Sequence, residues 1–253
     1  MNFELKSYLL GLAINQTPKL KEEFFQANTV YLVGSGPSID TTPLEKIELS
    51  KTIFLNAAID IEKKIKNNNE KYWLCQDYLR AAELIAHIPE NVKKIITVNR
   101  FKKIAEIKKH LSNDDIFCQP RIGLKKMNWG GDFANTSFTL RPKIKLSNPF
   151  HHKLQDKFLT LLPDTVMLTA LSIMIGMHVR NIYLLGFDAE PKKSAGISYS
   201  SAISQESKPG SGFDIEKIEA YLSKLLEEAT DIGLNIKNLS PGTYEGILPK
   251  GRL

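Results

Sequence analysis

The chain has 253 residues, of which 42% are hydrophobic and 25% charged, a balance that excludes a disordered chain. This length suits a single domain over residues 1–253, with room for an insertion. A net charge of +6 favours an anionic ligand or surface, while the lack of a basic–aromatic motif argues against nucleic acid.

Short apolar, β-branched runs at 29–33, 52–56, 72–75, 94–98 and 182–185 read as buried strands, and 234–239 as a weaker one. Between them, 59–66, 79–87 and 101–111 carry apolar residues at helical spacing. The run 164–175 is apolar nearly all round and predicts a buried helix, with Asp164 as N-cap and Gly176 as stop. The last helix is expected over 214–230, with Ile215, Ile218, Tyr221, Leu222, Leu225 and Leu226 on one face and Gly233 beyond its end. Alternation of strand and helix predicts an α/β fold, a mostly parallel sheet with helices on both faces. Residues 119–162, rich in Gly, Pro, Asn and aromatics, read as an irregular insertion, and 189–213, rich in Ser, Gly and Lys, as a lid-like loop.

The cysteines, Cys75 and Cys118, form no Cys-x-x-Cys pair, which argues against zinc, leaves a disulfide open and suits a reducing cytoplasm. No run approaches ~20 apolar residues, and 8–14 is too short for a signal-peptide core. A cytoplasmic location is therefore expected. The pairs Lys63-Lys64, Lys93-Lys94, Lys102-Lys103, Lys108-Lys109, Lys125-Lys126 and Lys192-Lys193 read first as solvated helix faces. They would also suit peripheral contact with the inner face of an anionic membrane.

In an open α/β sheet a ligand lies beyond the carboxyl ends of the strands. The residues there are Gly34, Ser35, Gly36, Pro37 and Ser38; Asn56; Gln76 and Asp77; Asn99 and Arg100; and Gly186, Phe187 and Asp188. Nearly all are polar or glycine, beyond what helix capping demands. The glycine loop admits close ligand approach, and its backbone N–H groups could meet a phosphate. It is neither a dinucleotide fingerprint, since Ile39 stands where the third glycine belongs, nor a P-loop, since no Gly-Lys-Ser/Thr follows. Asn56 and Gln76 can read a base or ribose without adding charge. Tyr199 in the lid could close over a phosphate. No Asp-x-Asp occurs, so no metal site is expected.

Val-Gly-Ser-Gly-Pro-Ser at 33–38, Phe-Leu-Asn at 54–56, Trp-Leu-Cys-Gln-Asp at 73–77 and Asn-Ile-Tyr-Leu-Leu-Gly-Phe-Asp at 181–188 resemble the small bacterial sialyltransferases. They equally resemble the wider DUF115, or MptE-like, group, which includes a pterin diphosphokinase. The sialyltransferase resemblance implies a Rossmann-like domain with a lid that binds a CMP-sugar donor without metal or other cofactor. It implies donor contacts at Ser35, Gly36, Asn56 and Gln76, a Ser/Thr-containing turn at Asp164 and Thr165, and Tyr199 on the leaving phosphate. That family's general base is a histidine after the lid, whereas this chain has none after His178. Asp188 and Asp214 are the candidates for the catalytic base, with His151 and His152 in the insertion as others.

The expected function is a glycosyltransferase moving an acidic sugar, sialic-acid or Kdo-like, from a CMP-sugar to a bacterial surface glycan. The alternatives are an MptE-like diphosphokinase, which would need Mg²⁺, and a non-catalytic nucleotide-sugar-binding module. The expected partners are the donor and a glycan acceptor, and the sequence leaves an oligomer open.

Overall fold

The computed structural model describes residues 17–47, 50–65, 70–76, 78–97, 104–117, 166–188, 215–240 and 247–251. Seven parallel strands form one sheet: β1 (Thr29–Val33), β2 (Lys51–Leu55), β3 (Glu70–Cys75), β4 (Val92–Ile96), β5 (Ile116–Phe117), β6 (Asn181–Leu185) and β7 (Asn235–Asn238). Their order is β5-β4-β3-β2-β1-β6-β7. The chain therefore winds outward from β1 to β5, then crosses back to place β6 on the other side of β1. Parallel strands are buried on both faces, which is why they read as continuous apolar runs.

Alternate side chains divide the core in two. Val30, Leu32, Ile53, Leu55, Tyr72, Leu74, Ile182, Leu184 and Ile236 point to one layer. There they meet α1 (Thr17–Phe24), α4 (Val166–Gly176) and α5 (Ile215–Asp231) through Leu20, Phe24, Leu168, Leu171, Leu222 and Leu225. Tyr31, Val33, Phe54, Trp73, Cys75, Ile96 and Leu185 point to the opposite layer. That layer holds α2 (Tyr78–Leu84), α3 (Ile104–Lys108) and the 3₁₀ segments Pro37–Thr41, Leu44–Lys46, Asn56–Lys64 and Ile85–His87. The crossovers linking β1 to β4 pack on one face and the helix joining β6 to β7 on the other. A right-handed connection demands this once winding direction reverses. The expected α/β sheet covered on both faces is therefore present.

Several boundaries differ from expectation. Asn56 ends no strand; it turns the chain out of β2 with φ +48. The helix expected over 59–66 is a 3₁₀ stretch, Asn56–Lys64, with Ile59, Glu62 and Ile65 buried at intervals of three residues. Of 101–111, the described helix is Ile104–Lys108. Gly176 lies inside the end of α4, and His178 takes the left-handed conformation (φ +56) that leads into β6. Gly233, φ +73, follows α5 as expected. The short β5 and α1 have no counterpart in the sequence reading. The 119–162 insertion and the 189–213 lid lie outside the described residues. No described helix is long and apolar enough to cross a membrane.

Candidate functional site

Winding reverses between β1 and β6, so this gap is where an open sheet offers a crevice. Here the two post-strand loops press together. The Gly34 N–H donates to the Leu185 carbonyl (2.7 Å) and the Gly36 N–H to the Gly186 carbonyl (3.0 Å). A Cβ on Gly34 would stand 2.5 Å from the Gly186 oxygen, and one on Gly36 would stand 2.4 Å from Asp188 Oδ2. Gly186 itself adopts φ +62, and a Cβ there would meet the Gly34 oxygen at 2.5 Å. Glycine at 34, 36 and 186 is thus required by the packing of the two loops, backbone on backbone and, at Gly36, on the Asp188 carboxylate, with no ligand needed to explain it.

The Ser38 N–H donates to Asp188 Oδ2 at 2.7 Å, which ties the β6 loop to the first turn after β1. This differs from the expectation of free N–H donors. Gly34, Gly36 and Ser38 are already engaged within the protein, Pro37 has no N–H, and a carboxylate stands against the loop. A phosphate placed there would face a like charge. The Ser38 side chain is different: it is 8% exposed, and its Oγ has no hydrogen-bond partner among the described residues.

Asn56 Oδ1, at the end of neighbouring β2, is also buried without a partner among the described residues. Its backbone carbonyl accepts from Trp73 Nε1 at 2.8 Å. At the end of β3, Gln76 Oε1 accepts from Thr169 Oγ1 of α4 at 2.7 Å. Met167, in the first turn of α4, reaches to 3.2 Å from the position of a Gly34 Cβ. The amino end of α4 therefore lies over the carboxyl ends of β1 and β3. Gln76, Asn56, the glycine loop and Asp188 follow β3, β2, β1 and β6, so they form one row across adjacent strands. At ~4.8 Å per strand the row is roughly 14 Å long.

The structure thus brings together Gly34, Ser35, Gly36, Pro37, Ser38, Asn56, Gln76 and Asp188. Asp77, Asn99, Arg100, Asp164, Thr165, Tyr199, Asp214, His151 and His152 lie outside the described residues. Two supporting residues were not read from the sequence. Thr169 is a fully buried hydroxyl in an apolar helix, and that mismatch was the available signal. Trp73 is fully buried, and an indole N–H so placed must find an acceptor. No described group of three or more His, Cys, Asp or Glu side chains could hold a metal ion.

No family model matches the sequence, and no curated protein matches it. Among solved structures, the fold is similar to that of the monofunctional α-2,3-sialyltransferase Cst-I from Campylobacter jejuni. The two share 15% identity and a TM-score of 0.50 over 88% of this chain and 80% of that one. CstII, a sialyltransferase from the same organism solved with the substrate analogue CMP-3FNeuAc, superposes at TM-score 0.48 with 15% identity, over 88% of this chain and 86% of that one. At such identity the likeness to Cst-I is one of fold alone.

Proposed function

We propose that the chain is a glycosyltransferase that moves an acidic sugar, sialic-acid or Kdo-like, from a CMP-sugar onto a bacterial surface glycan. The observation that carries this reading is the pair of buried polar atoms, Ser38 Oγ and Asn56 Oδ1, that have no partner among the described residues and lie at the carboxyl ends of adjacent strands beside the switch point. Buried polar atoms nearly always have partners, so a hydrogen-bonding ligand is the economical account of both. An amide oxygen needs a donor, and sugar hydroxyls or an exocyclic amine supply one. The sequence motifs shared with small sialyltransferases and the fold shared with Cst-I make a cytidine nucleotide the first candidate.

The nucleoside or sugar hydroxyls would then lie along Ser38, Asn56 and Gln76, with Asp188 beside Ser38 at one end of the row. The donor phosphate would sit toward the positive amino end of α4, near Asp164 and Thr165, with Tyr199 closing over it. CMP is a stable leaving group, so the carbon–oxygen bond to the sugar breaks as the acceptor hydroxyl attacks and its proton passes to a base. Asp188 and Asp214 are the candidates for that base. Work on surface glycans would place the chain at the cytoplasmic face of the inner membrane.

The test is incubation with CMP-sialic acid and a lactose-terminated acceptor, followed by NMR for released CMP and a new glycosidic signal. Transfer is the expected result, and the absence of both CMP binding and turnover would sink the reading. Asp188→Asn separates two roles for that side chain. Its amide oxygen can still accept from the Ser38 N–H, so CMP binding should persist. Transfer surviving that change would remove Asp188 as the base and leave Asp214, His151 and His152.

A further inference from the structure

We propose that Trp73 is a positioning residue that sets the ligand-facing geometry of Asn56; this rests on reading Asn56 as a ligand contact. Two separate oddities meet in Asn56. Its backbone is left-handed, φ +48, and its amide oxygen is buried with no partner among the described residues. Left-handed backbone is unfavourable for residues with a Cβ, although asparagine tolerates it better than most. Something must hold it there.

The side-chain donor to the Asn56 carbonyl is the Trp73 indole, 2.8 Å away, beside the 3₁₀ segment that starts at this residue. Trp73 lies opposite Phe54 in the β2–β3 register, so its ring extends along the sheet toward the residue that follows β2. The ring is fully buried in the core layer that holds the 3₁₀ segment beginning at Asn56. It cannot move without repacking that layer. The indole is a donor only, and inside the protein it has to be satisfied. Together with the 3₁₀ segment, its N–H holds where the Asn56 carbonyl points, and with it the backbone geometry that aims the side chain beyond the strand ends. Trp73 would not touch the ligand; it acts through Asn56.

The experiment uses the full chain with Trp73→Phe, and a second variant carrying 3-benzothienylalanine at 73. The sulfur isostere keeps the ring volume and removes only the N–H, so it guards against a packing defect in the phenylalanine variant. Two readouts are taken. Without ligand, the Asn56 Cα and Cβ NMR shifts report its φ, and they should leave their left-handed values in both variants. With CMP as probe, affinity should fall roughly three- to tenfold, the loss of one hydrogen bond's worth of organisation. Asn56→Gly accepts the left-handed backbone without help. In that background the Trp73 changes should cost CMP affinity nothing further.

Unchanged Asn56 shifts in both variants would overturn the proposal, as would an equal affinity loss in the Asn56→Gly background. If the parent chain binds no CMP, the nucleotide reading fails, while the shifts still decide whether Trp73 governs Asn56.

Discussion

Gly36 separates conformational need from spatial need. Its φ of −66 and ψ of 156 suit any residue, so an alanine there would meet no backbone strain. What it would meet is Asp188 Oδ2 at 2.4 Å and the Gly186 oxygen at 2.7 Å. Gly36→Ala should therefore force the β1 and β6 loops apart, at a cost of about 1–3 kcal/mol in the range of core overpacking. It should also break the Ser38–Asp188 bond and abolish CMP binding. Pairing it with Asp188→Ala removes one of the two clashes, so the double variant should be more stable than the sum of the single changes. Urea unfolding of all four chains measures the coupling, and strict additivity would show that the carboxylate is not what the methyl meets. The sequence placed these glycines after strands and so located the crevice. It led to a phosphate cradle because it could not show that the N–H groups are consumed by a second loop about 150 residues away, a tertiary fact.

At the scale of elements, strands were the easier reading. β1 and β6 are buried on both faces and end in glycine, so both hydropathy and punctuation mark them. The 3₁₀ crossover after β2 was read as an α-helix because apolar spacings of three and four are hard to tell apart over nine residues. α1 buries only Leu20 and Phe24 in its described part, too few for a period.

Yet α1 carries a second anchor at the amino ends of the strands, away from the candidate site. Glu23 Oε2 and Glu70 Oε2 each lie 2.7 Å from the Tyr72 hydroxyl, which donates toward both. Lys93 donates to Glu23 at 2.9 Å, while Lys51 donates to Glu70 and, at 3.1 Å, to Tyr72. For Glu23, burial pushes the carboxyl up, but the bonds from Lys93 and Tyr72 outweigh it and hold it below its ordinary value. The Lys51 and Tyr72 bonds hold Glu70 below its ordinary value too. Carboxyls with depressed folded values stabilise the fold fully above the unfolded value, about 4.5, and lose that contribution as pH falls through the folded values. Lys93 is raised, chiefly by its bond to Glu23, so its contribution is present at neutral pH and lost only as strongly alkaline pH is reached. Urea midpoints should therefore fall below pH ~4.5, and Glu23→Gln should flatten that limb. An acid limb of the same slope in the variant would assign the loss to other carboxylates. The effect should be modest, because the Glu70 side chain is 57% exposed.

For the whole molecule, the strand order decides how a ligand would act on stability. The candidate site draws Ser38 and Asn56 from the half of the sheet wound outward from β1, and Asp188 from the half that begins at β6. A ligand seated there spans both halves, so it should stabilise the chain as one cooperative unit and not only a local loop. Part of the basic charge among the described residues is less available than the sequence suggested. Lys93 and Lys94 lie on β4, bonded to Glu23 and to the buried Asp115 (3.4 Å for Lys94), and are not a solvated helix face. Nonspecific anion binding is thus a weaker competitor for the effect. Saturation with CMP at 100 times its dissociation constant should add about 2.7 kcal/mol, a rise of roughly 5–10 °C in melting temperature for a chain this long. The urea m-value should stay constant, since the same surface is exposed on unfolding. Inorganic phosphate at equal ionic strength should give little of this shift, because it would fill only the α4 end of the site and leave the row of Ser38, Asn56 and Gln76, which reads hydroxyls and amines, unfilled. A phosphate shift as large as that from CMP would mean that the anion alone is recognised and that these side chains do not read the nucleoside.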